Sequence, residues 1–208
     1  MVIIFDFDGT MADSFTLIKE LYNKHAPEYG VRTIESEEHW EEIRRMNFRQ
    51  LMSSFDVKPH QIPRYLVIAK KLMLQEADKI ELFPNIVDIV KQLHDEGNQL
   101  YVLSSNTEEL VSNILNRYDI LDLMTVMKSS RLFGKSQSVK RLMKQQKMLA
   151  DEVWLVGDET RDIEAANKAG VKSIGVTWGF HPGEVLRRKN PTVVVNKPPE
   201  ILKVIRGS

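Results

Sequence analysis

The hydrophobic positions of the chain fall into two alternating patterns. Short, largely apolar runs at Val2–Phe5, Leu100–Leu103, Val153–Val156 and Ser173–Val176 have the length and composition of strands covered on both faces. Leu123–Met127 and Thr192–Val195 are weaker examples of the same kind. Among the later runs, apolar residues recur at helical spacing: Ile86, Ile89, Val90 and Leu93 before Gly97, then Ile163, Ala166 and Ala169 before Gly170. Strands alternating with helices predict a parallel sheet with helices on both sides.

The stretch from 15 to 82 breaks this rhythm. It holds no convincing strand, and segments such as HWEEIRRMNFRQLMSSF and PRYLVIAKKLMLQEADKI predict three or four helices. Gly30, the Pro59–Pro63 segment and Pro84 punctuate it. The expected architecture is α/β. Residues 1–14 and 83–208 form a doubly wound, Rossmann-like parallel-sheet core domain, and residues 15–82 form an inserted helical cap domain.

In such sheets ligands bind just beyond the carboxyl ends of the strands, so the residues that follow each run locate a site. Asp6, Asp8, Gly9 and Thr10 follow the first run; Ser104, Ser105 and Asn106 follow the second. Gly157, Asp158 and, at spacing four, Asp162 follow Val153–Val156, and Lys135 opens the helix that precedes it. Two carboxylates at the tip of a buried strand repel each other, which calls for a compensating cation. Asp6, Asp158 and Asp162 make an all-oxygen set suited to Mg2+, which takes one or two carboxylates and keeps waters and a phosphate. Lys135 offers a point charge and Ser104 a hydroxyl to phosphate oxygens, and Gly9 lets backbone N–H groups approach an anion closely. A lone Asp at a strand end is most often a turn or cap residue, and Gly134-Lys135-Ser136 lacks the upstream glycine of a P-loop. The ordered convergence of all four sets is what points to a site. Asp13 and Ser14 read as the N-cap of the next helix.

Composition narrows the partners. Lys plus Arg and Asp plus Glu both total 29 in the 208 residues, so there is no basic excess for nucleic acid or a membrane surface. The chain has no cysteine, which excludes disulfides, thiolate metal sites and a cysteine nucleophile, and fits a reducing compartment. Asp6 interrupts the N-terminal apolar run well short of a signal peptide, and no run nears the roughly 18 residues of a membrane span. A cytoplasmic location is therefore expected, with neither nucleic acid nor membrane as partner. The five histidines are scattered, none at ligand spacing to another.

The sequence resembles the haloacid dehalogenase superfamily of phosphohydrolases, in its phosphoglycolate-phosphatase-like branch. The resemblance is carried by DFDGT at 6–10, by Ser104 closing an apolar strand, by Lys135 and by GDETRD at 157–162. The phrases DGTMADS, RDIEAANKAGV and GVTWGF extend it over nearly the whole chain, and the insert sits where this branch places its cap. It implies a Mg2+-dependent phosphatase of a small phosphorylated metabolite such as phosphoglycolate. By that resemblance Asp6 is the nucleophile that becomes an aspartyl-phosphate, and Asp8 is first a general acid and then a base. Ser104 and Lys135 hold the transferring phosphoryl group. Mg2+ is bound by the Asp6 carboxylate, the Asp8 backbone carbonyl and Asp158, with Asp162 directly or through water.

Asp8 argues against carbon–halogen cleavage, because halide leaves without an acid. Phe7 stands where cation-pumping ATPase relatives carry lysine. Two positions depart from the branch: Ser136-Gln137 follows Lys135 where proline is common, and Pro84-Asn85 replaces Pro-Gly, a change Asn tolerates through its left-handed conformer. The alternative readings are a sugar phosphomutase of the same superfamily and a phospho-receiver module. The receiver is disfavoured by a nucleophile on the first strand and by the large insert. Gly9, Thr10, Ser105 and Asn106 are expected on the substrate side of the site. On the cap, Arg44, Arg45 and Arg49 are the cationic candidates. Arg45 and Arg49 share a helix face if the helix runs through Asn47, placed either to meet a substrate carboxylate or to pair in solvent with Glu41 and Glu42. Trp40, Met46, Leu51 and Met52 read as cap core, while Trp178, Phe180 and His181 either line the rim or pack. Nothing indicates an oligomeric state.

Overall fold

The computed structural model describes residues 1–46, 48–54, 59–129 and 134–207. Its centre is a parallel sheet of six strands in the order β3-β2-β1-β4-β5-β6. These are β1 (Val2–Phe5), β2 (Gln99–Ser104), β3 (Thr125–Lys128), β4 (Val153–Gly157), β5 (Lys172–Val176) and β6 (Val193–Val195). Every residue of β1 and β4 is buried, which is why these runs are unbroken rather than alternating. The pleat still divides them by face. Ile3, Phe5, Trp154 and Val156 pack into one cluster, and Val2, Ile4, Val153 and Leu155 into another on the opposite side.

Helices cover both faces. Ile86, Ile89, Val90 and Leu93 of α5 (residues 86–95 below) join the Ile3 and Phe5 side, and Val139 and Leu142 join the Val2 and Ile4 side. In chain order the helices are α1 (Ser14–His25), α2 (Glu37–Ile43), α3 (Phe48–Ser54), α4 (Ile62–Gln75), α5 (Ile86–Asp95), α6 (Glu108–Arg117), α7 (Lys135–Gln146), α8 (Thr160–Ala169), α9 (Gly183–Arg187) and α10 (Glu200–Arg206). None of the described helices is long and apolar enough to cross a membrane. Asn85, before α5, adopts φ 69°, the left-handed conformation that Asn allows in place of Gly.

The register sets the site. Phe5 pairs with Val102 on one side and Val156 on the other, so Asp6, Ser104 and Asp158 leave the sheet at the same edge. The strand order reverses at β1, with β2 and β3 to one side and β4 to β6 to the other, which places the crevice of a doubly wound sheet at that edge.

The chain leaves the sheet after β1 and returns before β2 through a narrow neck. Ala12 bridges Leu82 antiparallel, Asp13 N–H donates to Glu81 O at 2.8 Å, and Phe83 N–H donates to Met11 O at 2.9 Å. Between them lie α1 to α4, with no strand among the described residues. Leu17, Leu21 and Met73 join the sheet's own cluster, while Ile34, Trp40 and Ile43 form another with Phe15, Tyr22, Met46, Leu51 and Phe180 packed against it.

One expected helix is broken. α2 ends at Ile43, and its last turn tightens as Arg45 N–H bonds Glu42 O and Met46 N–H bonds Ile43 O, both at 3.0 Å. Arg45 therefore lies in a turn and Arg49 on α3, so the shared helix face does not form; Asn47 lies outside the described residues.

The left-handed conformation of Asn85 is open to a direct test. Asn85→Ala should lower unfolding free energy by about 1 kcal/mol, because alanine lacks the short polar side chain with which Asn offsets the left-handed penalty, and Asn85→Gly should not. Urea denaturation measures both. Equal stabilities would show that the position carries no such penalty.

Candidate active site

At the carboxyl edge of β1 and β4 three carboxylates come together. Asp6, Asp158 and Asp162 are 3%, 1% and 0% exposed, and one oxygen of each lies within 4.8 Å of the others. Each is held by donors from a different segment. Phe7 N–H donates to Asp6 Oδ1 at 2.8 Å, and Lys135 Nζ lies 2.5 Å from Asp6 Oδ2 as an ion pair rather than an aligned hydrogen bond. Thr10 Oγ1 donates to Asp158 Oδ1 at 2.8 Å, and Phe180 N–H donates to Asp158 Oδ2 at 2.7 Å. Glu159 N–H donates to Asp162 Oδ2 at 3.0 Å, closing the N-terminus of α8, while Asp162 Oδ1 accepts from Lys135.

Lys135 is the first residue of α7 and is buried between two of these carboxylates. Burial alone would lower its pKa, but Asp162 and Asp6 outweigh that and hold it above the usual lysine value, so it stays charged. Its contact with Asp162 also engages the second Asp162 oxygen. Asp162 thus orients the lysine and caps α8, besides being available to a cation only from those same oxygens.

Asp8 stands apart from this group. It is half-buried; Asn106 Nδ2 donates to its Oδ2 at 2.8 Å, and Ser104 Oγ lies 3.5 Å from the same oxygen. Asn106 N–H donates to Ser104 Oγ at 3.0 Å, so the turn after β2 orders itself against Asp8. Ser14, the first residue of α1, is buried and its hydroxyl favours the ionised form of Asp8. Asp13 does occupy the N-cap position of α1, without a capping hydrogen bond from its side chain.

The electrostatics are lopsided. Five carboxylates, counting Glu159, face two cations, Lys135 and Arg161. Burial pushes Asp6 up to about 7 despite Lys135, and pushes Asp158 well above the carboxylate range with help from Glu159 and Asp6. Asp8 is raised by burial as well. Its Oδ1 is buried with no hydrogen-bond partner among the described residues. An oxygen-only donor set short of positive charge fits a hard divalent ion of the Mg2+ type, for which Asp6, Asp158 and Asp162 are the side-chain candidates.

The structure therefore gathers Asp6, Asp8, Ser104, Asn106, Lys135, Asp158 and Asp162 at one edge, and revises three other expectations. Gly9 N–H is engaged by Ala12 O at 2.9 Å and is not free for an anion. What its position needs is closeness: φ is +73°, and a Cβ would lie 2.1 Å from Asp158 Oδ2. Thr10 is fully buried, with its N–H on Phe7 O and its hydroxyl on Asp158, so it orients a carboxylate instead of touching substrate. Arg45 is half exposed and pairs with Glu184 at 3.3 Å and Glu41 at 3.8 Å, so its charge is already met at the surface. The side chain of Arg49 lies outside the described ones.

Three more residues reach the site, of which only Lys70 is unannounced by the sequence. Lys70 of α4 donates to Ser105 O at 2.5 Å, immediately beside Ser104 and Asn106. Trp178 Nε1 donates to Thr10 O at 3.1 Å, and buried His181 accepts from Thr160 N–H through Nδ1 at 3.2 Å while Nε2 faces Met46 O at 3.2 Å. Trp178, Phe180 and His181 follow β5, so the rule that leads to the other strand ends leads to them as well. For Lys70, one of two adjacent lysines on a helix, there is no comparable signal.

Two outcomes test this geometry. Gly9→Ala should abolish divalent-ion binding measured by calorimetry with the fold intact by circular dichroism; unchanged binding would show that Asp158 does not need the close approach. The folded state also holds the Asp6 proton more tightly than the unfolded chain does. Metal-free protein should therefore lose thermal stability as pH rises through about 7, and added Mg2+ should restore most at the alkaline end. A melting temperature that climbs across that range in metal-free buffer would contradict the charge crowding.

Comparison with known proteins agrees with this picture. Residues 3–176 match the family model for haloacid dehalogenase-like hydrolases. A phosphoglycolate phosphatase of Synechococcus elongatus is 30% identical over 204 residues, 98% of this chain and 96% of its own length. The pyrophosphatase PpaX of Oceanobacillus iheyensis is 23% identical over 212 residues, 99% of this chain and 97% of its own. Among solved structures, a haloacid dehalogenase-like family protein from Streptococcus pneumoniae superposes with a TM-score of 0.81 at 20% identity, covering 98% of this chain and 97% of that one. A hydrolase from Pseudomonas syringae gives 0.78 at 18% identity, covering 100% and 99%. The family match runs from β1 through β5 and so takes in Asp6, Asp8, Asp158 and Asp162: the chain belongs to the haloacid dehalogenase-like hydrolase family.

Proposed function

We propose that the protein is a Mg2+-dependent phosphomonoesterase that hydrolyses a small phosphorylated metabolite of the phosphoglycolate type through an aspartyl-phosphate. The observation that carries this reading is the separation of roles between two neighbouring carboxylates. Asp6 is buried against Lys135 among the other acids, while Asp8 sits two residues on, in its own polar niche of Ser104, Asn106 and Ser14. The name of the relative from Synechococcus elongatus supports the substrate class.

In the first step an Asp6 oxygen forms a bond to phosphorus as the bond from phosphorus to the leaving oxygen breaks. Asp8 gives its proton to that oxygen, and its upward-shifted pKa favours holding a proton until then. In the second step Asp8, now ionised, takes a proton from water as the water oxygen attacks phosphorus and Asp6 departs. The Phe7 N–H keeps Asp6 in one rotamer, and Lys135 and Ser104 lie beside the place where the phosphoryl oxygens collect charge. Bound at Asp6, Asp158 and Asp162, Mg2+ would favour the ionised carboxylates and offset phosphoryl charge.

We read residues 15–82 as a cap over this edge, with Lys70 rather than Arg45 as its substrate-facing cation. Lys70 Nζ is half-buried on a neutral carbonyl, with no carboxylate in ion-pair distance among the described residues. A substrate carboxylate would complete its surroundings. The cysteine-free chain fits a cytoplasmic setting.

Purified protein should release phosphate from p-nitrophenyl phosphate and phosphoglycolate with Mg2+, and EDTA should stop it. Asp6→Asn should lower kcat by at least about a thousandfold, as loss of a covalent nucleophile does. An Asp6→Asn enzyme with near-normal turnover would remove the covalent mechanism. Lys70→Gln should raise KM for phosphoglycolate about tenfold, the worth of one charge-assisted hydrogen bond, and leave KM for p-nitrophenyl phosphate unchanged. Equal changes for both substrates would deny Lys70 a role in reading the carboxylate.

A further inference from the structure

The helical insert reaches the loop behind the acidic cluster through an arginine. Arg44, in the turn after α2, reaches the loop that follows β5. Its Nε donates to Phe180 O at 2.7 Å, its Nη2 donates to Gly179 O at 2.7 Å, and its Nη1 meets Glu41 at 2.6 Å. The side chain is only 19% exposed, so these bonds are poorly reached by solvent. A guanidinium presents its donors as a rigid fork, which suits two consecutive carbonyls in a way an ammonium cannot.

The same two residues hold Asp158 from their other side. Phe180 N–H is the donor to Asp158 Oδ2. Gly179 is so close that a Cβ there would lie 2.4 Å from Asp158 Cβ and 2.1 Å from Gly9 O. Next to them, Trp178 holds Thr10, which donates to Asp158 Oδ1, and His181 N–H donates to Asp158 O at 3.2 Å. The insert is seated on this loop by packing too: the Phe180 ring meets Phe15 edge-on at 5.4 Å, Phe15 meets Trp40 at 5.8 Å, and Arg44 lies 5.9 Å from the Phe15 ring.

We infer that Arg44 is a positioning residue: by clamping the carbonyls of Gly179 and Phe180 it aims the Phe180 N–H at Asp158, so that seating of the insert and affinity for the divalent ion are linked. The inference rests on the reading of Asp158 as a metal ligand. Linkage makes the effect reciprocal, so Mg2+ should also hold the insert in place.

The test is a titration with Mg2+ alone, followed by tryptophan fluorescence, since Trp178 lies in the clamped loop. Arg44→Gln should weaken Mg2+ binding about tenfold, within the range seen when a group behind a metal ligand is lost. Arg44→Lys, which keeps the charge but not the fork, should fall between. Glu41→Gln, which touches neither carbonyl, should stay within about twofold of the wild type. Mg2+ should slow limited proteolysis of the insert in the wild type and not in Arg44→Gln. If Arg44→Gln does not fold, Arg44→Lys decides alone. Wild-type affinity and protection in a folded Arg44 variant would overturn the coupling, whether or not the enzyme releases phosphate. A wild-type protein that binds no Mg2+ would overturn it together with the metal reading.

Discussion

Like charges gathered at the tip of a buried strand are the constraint from which the rest of this structure follows. Asp6 leaves β1 among Asp158 and Asp162, in a place where an unpaired carboxylate would cost several kcal/mol to desolvate. Lys135 answers part of that charge by bridging Asp6 and Asp162. The remaining oxygens are met one at a time by single donors, from Phe7, Thr10, Glu159 and Phe180. What is left over is a local excess of negative charge, and it is this imbalance that suits a divalent cation.

The surrounding architecture serves that constraint. A parallel sheet brings the ends of β1, β2 and β4 to one edge without requiring the donors to be close in sequence. The turn after β2 organises Asp8 separately from the acids around Lys135, so two neighbouring carboxylates sit in different surroundings. The loop after β5 supplies the last donor to Asp158 and also accepts from Arg44 of the insert, so the insert and the acidic edge meet on one loop. Within the span matched by the haloacid dehalogenase-like hydrolases, Lys70 and Arg44 make contacts by which the insert meets the loops after β2 and β5.

The strands of the sheet were legible because a strand covered on both faces has no polar side to show, and Val2–Phe5 and Val153–Val156 show none. The carboxylates were legible because they follow those strands directly. Gly9 and Thr10 lie at the expected edge, and the contacts they make there are with Asp158. Residue types indicated a close approach and a hydroxyl, but only the folded loop shows that Asp158, and not an external anion, stands on the other side. The pairing of Arg45 with Arg49 failed for a related reason, since spacing four means neighbourhood only within one helix, and α2 ends at Ile43.

What the sequence determined by itself is the list of groups and the edge on which they meet, because strand burial and strand ends are local properties of the chain. Which group answers which was decided by tertiary structure. Asp158 takes its donors from Thr10 and Phe180, and Lys70 finds the carbonyl of Ser105, across separations that no local pattern encodes. A hydrogen bond depends on a few tenths of an ångström and on direction. Those are set only when every packed element, the insert included, has come to rest.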